Sequence, residues 1–189
     1  MKYFKKLEGE HIYLSPRNTE DVEKYTQWLN DFDITDYLGR SGSLTTLDSE
    51  KEYLEQNSKE MNNKYNFAIV KKETDEMIGG CGIEDINFIN RRGTLGIFIG
   101  DKASQNHGYG TETIKLLLDY GFNYLNLHSI KLDLMEFNER ALACYKKCGF
   151  KEYGRRRESN FINGKYYDTI SMDILKDEFT ESYIKNKNQ

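Results

Sequence analysis

The 189 residues (22.2 kDa) predict a single domain, 1–189, long enough to bury a core without a disulfide or metal staple. Hydrophobic residues at 38%, charged residues at 31% and a single Pro exclude a largely disordered chain. No apolar run reaches the roughly 20 residues that cross a bilayer, and a net charge of −4 argues against general nucleic-acid binding.

Met1 to Lys6 carries positive charge with no apolar stretch behind it, which argues against a secretory signal. The ordered core is expected over about 11–176, with a tail over 177–189 that is polar and frayed from Lys185. His11 to Ser15 alternates and predicts a short strand. Thr19 predicts a helix cap, with Glu20 and Asp21 in the first turn of a helix to about Asn30. Asp31 to Thr46, with Gly39 and Gly42, reads as a mobile loop or broken helix, and Asp48 or Ser49 opens a second helix ending near Asn62 and Asn63. Three strands follow, Tyr65–Val70, Met77–Ile83 and Thr94–Ile99, joined most simply as two adjacent hairpins.

The second half alternates helix and strand. Ile114, Leu117, Leu118, Gly121, Phe122 and Leu125 recur at helical spacing over Thr111–Leu125. Ile130–Met135 is a strand, Asn138 caps a helix and Gly149 ends it. Phe150–Phe161 and Lys165–Ile174 form a hairpin around Asn163-Gly164. The fold class expected is α/β (α+β mixed): one mixed sheet with helices on both faces.

Cys81, Cys144 and Cys148 follow no disulfide framework and point to a reducing, cytoplasmic setting. Cys144 and Cys148, four apart, share a helix face; no further ligands are spaced near them, and no metal is expected.

The most informative stretch is Ile97 to Glu112. A strand ends, and a turn with Gly108 and Gly110 opens a long helix. Successive main-chain N–H groups from Gln105 to Thr111, with the positive end of the helix, suit a pyrophosphate. No Walker A loop is present, and Thr113 stands where a dinucleotide fingerprint needs its third glycine. What remains is Gln-x-x-Gly-x-Gly at Gln105, Gly108 and Gly110; its bland alternative is a tight turn that merely starts a helix.

Further on comes Asn138-Glu-Arg-Ala-Leu-Ala-Cys-Tyr-Lys-Lys-Cys-Gly-Phe150. With both motifs in order, the chain from about Leu14 to Leu175 resembles the GNAT superfamily of acetyl-CoA-dependent N-acetyltransferases. The resemblance implies a mostly antiparallel sheet of about seven strands whose central pair splays apart. It implies acetyl-CoA as cosubstrate, held through its pyrophosphate by Gln105, Asn106, His107, Gly108, Tyr109, Gly110 and Thr111. Ile97, Phe98 and Ile99 would meet the pantetheine arm through main-chain groups, and Asn138 would touch the coenzyme or simply cap its helix. Tyr145 would stand beside the thioester sulfur as general acid.

Within the superfamily the chain is similar to two branches. Leu118–Leu127, Phe161–Tyr166 and Ile86–Arg92 look like the spermidine/spermine acetyltransferases. Arg91-Arg-Gly-Thr-Leu-Gly96 resembles the branch acting on N-termini of ribosomal proteins, with Thr94 in place of its glutamate. A small polyamine-like amine is the first expectation; a protein N-terminus, an antibiotic or an amino sugar stays open, as does a catalytically inactive coenzyme sensor. Acidic candidates for a cationic acceptor are Asp31, Asp33, Asp36, Glu84 and Asp85; of the last two, alternation turns only one inward. Tyr153, Phe161, Tyr166 and Tyr167 on the last hairpin would serve either a homodimer interface or sheet packing.

Overall fold

Period-two alternation sorts the strand residues of the computed structural model, described here for residues 2–59 and 63–184, onto two faces of one sheet. The strands are β1 (Leu7–Glu8), β2 (Ile12–Pro16), β3 (Tyr65–Lys71), β4 (Met77–Asn87), β5 (Arg92–Ile99), β6 (Ser129–Met135), β7 (Lys151–Ile162) and β8 (Lys165–Leu175). Their order is β1-β2-β3-β4-β5-β6-β8-β7. Every neighbouring pair is antiparallel except β5 and β6, which run parallel. The sheet is therefore mixed and mostly antiparallel, with eight strands rather than about seven. The extra strand, β1, pairs only two residues with β2, too few to leave an alternating pattern in the sequence.

Ile12, Leu14, Phe67, Ile69 and Ile83 face α4 (Tyr109–Asp119) and α5 (Glu139–Lys147), meeting Ile114, Leu117 and Tyr145. Tyr13, Ala68, Val70 and Met77 face the other way, toward Tyr25 and Trp28 of α1 (Val22–Leu29) and Leu54 of α3 (Leu47–Lys59). Helices thus cover both faces. Burial of each such aliphatic or aromatic side chain contributes about 1.5–3 kcal/mol.

Three local departures have physical causes. Asn18, not Thr19, makes the first cap, accepting from the Glu20 N–H at 2.9 Å to start a 3-10 turn before α1. Inside the expected loop, Asp31 caps a one-turn helix, α2 (Phe32–Thr35). The helix that begins at Tyr109 changes after Asp119 into a π turn over Tyr120–Tyr124. Beyond residue 176 the chain does not fray at once: Phe179, Tyr183 and Ile184 pack on the core, and the buried Asp119 carboxylate accepts from the Ile184 N–H at 2.7 Å. The expected helix end at Asn62 and the tail from Lys185 lie outside the described residues. Among the described residues, no helix is long and apolar enough to cross a membrane.

Candidate functional site

The parallel pair opens the sheet. β5 and β6 pair only at Arg92–Thr94 against Ser129–Lys131, whereas β4 stays paired with β5 as far as Ile99. Past Thr94 the β6-facing edge of β5 has lost its strand partner. Since main-chain groups alternate between neighbours, about half of those in Leu95–Ile99 face the opening. The opening is a cavity of about 390 Å³, lined by Leu95–Ile99 on one side and Asp133–Met135 on the other.

The glycine turn closes one end of this cavity. Gly108 takes φ +85°, the left-handed region that favours glycine, and caps α4. Asn106 also has positive φ, 65°. Among the described residues, no protein acceptor meets the main-chain N–H groups of residues 106–111; the first helical bond onto this turn runs from Glu112 N–H to the Gly108 carbonyl. Six donors in succession therefore stand at the positive end of an eleven-residue helix. A Cβ built at Gly96, Gly108 or Gly110 meets nothing within 4 Å. Crowding by the protein does not demand glycine at these cavity-lining positions; at Gly108 the positive φ does.

Gln105 braces the turn. Its Nε2 donates to the Ile99 carbonyl at 3.0 Å, and its Oε1 accepts from Arg140 Nη1 at 2.8 Å. This couples the end of β5 to α5 and brings a guanidinium to the glycine-turn end of the cavity. The His107 ring stacks on Tyr109 with centroids 5.9 Å apart.

The third wall is α5. Asn138 caps it, accepting from the Ala141 N–H at 3.1 Å, and also lines the cavity. Tyr145 is 8% exposed and packs edge-on to Phe150. Burial, with Cys144 and Cys148 adding, pushes its phenol well above the ordinary tyrosine range. Cys144 lies 3.2 Å from Thr111 Oγ1. A hydrogen bond from Cys148, then Thr111, Lys147 and Arg140, favour its thiolate; Cys148, the donor, shifts the opposite way. Among the described residues no three His, Cys, Asp or Glu side chains gather as a metal site would require.

On the other side of β5 lies a second cavity of about 350 Å³, which shares Gly96, Ile97, Phe98 and Leu38 with the first. Its polar lining is Arg17, Tyr25, Arg40, Glu50, Tyr53, Asn66 and Glu84. Glu84 accepts from Asn66 Nδ2 at 2.7 Å. Asp85 is exposed at φ +50°, beside the register break in β4, and lines neither cavity. Of the two candidates, Glu84 lines a cavity, and the register break after it leaves Asp85 outside.

Asp31 and Asp33 both bind Lys102, at 2.9 and 2.6 Å, and Asp36 lines neither cavity. Asp33 also lines the first cavity. The carboxylate missed by sequence reasoning is Glu50, 5% exposed on α3. Burial raises its carboxyl pKa, opposed by Arg17 and Arg40.

Because the folded-state pKa of Glu50 is raised, its neutral form stabilises below the unfolded carboxyl pKa near 4.3, and that benefit fades as pH rises through the folded value. Glu50→Gln is therefore expected to stabilise the fold by about 1 kcal/mol at pH 7–8, with the gain vanishing below about pH 4. Chemical denaturation at the two pH values reads it; equal midpoints at pH 8 would exclude a strained buried carboxylate.

The family profile described as Acetyltransferase (GNAT) domain matches residues 11–151. Among curated relatives, the uncharacterized N-acetyltransferase p20 of Bacillus licheniformis is 28% identical over 178 residues, 92% of this chain and 97% of that protein. A spermidine N(1)-acetyltransferase of Vibrio cholerae is 36% identical over 111 residues, 59% of this chain and 64% of that protein. The crystal structure of spermidine N-acetyltransferase from Vibrio cholerae in complex with CoA and spermine superposes with a TM-score of 0.82 at 28% identity, covering 89% of this chain and 97% of that one. The split sheet, the donor-rich turn and these likenesses converge: the chain belongs to the GNAT family and is an acetyl-CoA-dependent N-acetyltransferase.

Proposed function

We propose that the chain transfers the acetyl group directly to the primary amine of a small molecule, with Tyr145 as the general acid. The observation that carries this reading is Tyr145 itself, buried and protonated in the same cavity as the open edge of β5 and the glycine turn.

Bound acetyl-CoA supplies an activated acetyl group. The N–H groups at residues 106–111 hold its pyrophosphate, with Arg140 adding charge. Those main-chain groups of Ile97, Phe98 and Ile99 that face the opening align the pantetheine arm, and an N–H among them donates to the thioester carbonyl as it gains negative charge. A primary amine with pKa near ~10.4 gives a proton to water, at about 4–5 kcal/mol at pH 7, its nitrogen attacks the acetyl carbonyl carbon, and as the C–S bond breaks the nitrogen gives a second proton to water. Tyr145 gives its phenolic proton to the leaving sulfur. Its raised pKa keeps that proton in place throughout the working pH range.

Direct transfer needs no acyl-cysteine. Cys144 faces Thr111 at the turn, with no histidine partner among the described residues to act as base. Cys144→Ala is expected to keep kcat within about threefold of the parent. Loss of turnover, with a trapped acetyl adduct in the parent protein by mass spectrometry, would replace direct transfer with a covalent route.

A polyamine acceptor draws support from the relatives named for spermidine and from the carboxylates Glu50 and Glu84. A specific observation favours a second acceptor class: Arg17 and Arg40 line the same cavity, and a purely cationic molecule gains nothing from them. A screen of acetyl-CoA consumption against polyamines, amino acids, amino sugars, aminoglycosides and short peptides tests the reading. Coenzyme binding without turnover on any amine would make the chain a sensor. Three free cysteines support a reducing, cytoplasmic setting. Exposed Tyr153, Phe161 and Tyr166 on the last hairpin support a homodimer.

A further inference from the structure

The second cavity contains an unusual set of unmet polar atoms. Three side chains in its lining keep a buried polar atom with no hydrogen-bond partner among the described residues: Arg17 Nε, Tyr25 Oη and Glu50 Oε1. Buried polar groups are nearly always paired, and each exception calls for a reason. Here a donor, a hydroxyl and an acceptor are left unmet around one space.

Mutual pairing does not explain them. Arg17 and Glu50 influence each other electrostatically, yet no salt bridge joins them among the described residues. Arg17 is instead held by rings, its guanidinium carbon 5.3 Å from the Tyr25 centroid and 5.8 Å from that of Tyr53. Aromatic faces position a guanidinium without neutralising its charge. The guanidinium sits close to the reacting strand: a Cβ at Gly80 would meet Arg17 Nη2 at 3.4 Å and the Phe98 ring at 3.0 Å. A second guanidinium, Arg40, lines the same space, as do the carboxylates Glu50 and Glu84.

A ligand that satisfies this lining brings both signs of charge. Its ammonium group meets Glu50, and its anionic group meets Arg17. A polyamine satisfies the carboxylates only and is repelled by both guanidiniums. We infer that the acceptor is an amine that also carries an anionic group, a carboxylate or a phosphate, and that Arg17 is the residue that selects it. This inference rests on the reading of the second cavity as the acceptor site.

The test separates the two. Calorimetry on the CoA-loaded protein measures binding, and acetyl-CoA consumption measures turnover. The panel is the twenty amino acids, 4-aminobutyrate, 2-aminoethyl phosphate, glucosamine and its 6-phosphate, spermidine, spermine and 1,4-diaminobutane. At least one anionic amine is expected to bind and turn over with kcat/KM at least about 10-fold above every polyamine; carboxylate and phosphate members distinguish the two anions. Arg17→Gln is expected to lower kcat/KM for that amine by about 100-fold, to leave KM for acetyl-CoA unchanged, and to raise turnover of spermidine. Arg17→Lys restores part of the loss. Preference of the parent protein for spermidine, or an anionic amine used equally well by Arg17→Gln, overturns the inference. Arg17-dependent binding of an anionic amine without turnover upholds the cavity's specificity and sinks the transferase reading instead. Absence of binding by every anionic amine overturns the inference, whether or not a polyamine turns over.

Discussion

Tyr145→Phe is expected to lower kcat by about 100-fold or more while leaving KM for acetyl-CoA within about twofold. The substitution removes one oxygen from a ring that keeps its packing on Phe150, so fold and cavity shape persist. What disappears is the proton for the departing sulfur. The departing thiolate, whose thiol has a pKa near ~8.5, ends protonated at pH 7, and Tyr145 supplies that proton as the C–S bond breaks. The raised phenol pKa adds a second signature. Its loss of proton lies above the ordinary tyrosine value near ~10, so Tyr145 contributes no falling limb to the kcat profile through about pH 10. An unchanged kcat in the Phe variant would remove Tyr145 from the chemistry.

Gly110→Val is expected to raise KM for acetyl-CoA by roughly 10- to 100-fold, the scale of one or two hydrogen bonds to a charged group. A Cβ at Gly110 meets no protein atom within 4 Å, so the new side chain enters the cavity rather than the core. Unfolding midpoints should stay close to the parent's. Gly108→Ala is the complementary control: φ of +85° makes any side chain there strained, at about 1–2 kcal/mol. A valine at 110 that leaves coenzyme affinity intact would mean that the glycine turn lies away from the pyrophosphate.

The donor half of this site was legible because its chemistry is local. Gln105, Gly108 and Gly110 announce a turn that strips helix-terminal N–H groups of partners, and Asn138 through Tyr145 lie on one short helix. The Arg92–Thr94 limit of the parallel pairing left no sequence signal, and only the resemblance implied the splay. Of the polar side chains lining the proposed acceptor cavity, the sequence singled out Glu84. Arg17 follows a strand, Glu50 sits among Asp48, Lys51 and Glu52 on a polar helix, and each reads as a solvated charge. Folding across 33 residues of chain puts both in one cavity. Asp31 and Asp33 read either as a solvated acidic loop or as partners of a cationic acceptor, and a cation they meet is Lys102 of the chain itself. The β4 bulge turns Asp85 outward at a point that residue types alone do not mark.

The account turns on six main-chain N–H groups, those of Asn106, His107, Gly108, Tyr109, Gly110 and Thr111, taking up a diphosphate. Amide resonances followed by NMR during titration with CoA address it directly. These six are predicted to show the largest shifts in the chain, with the amides of Ile97–Ile99 following and those of β7 unmoved. Saturable CoA binding that leaves all six unchanged would contradict it.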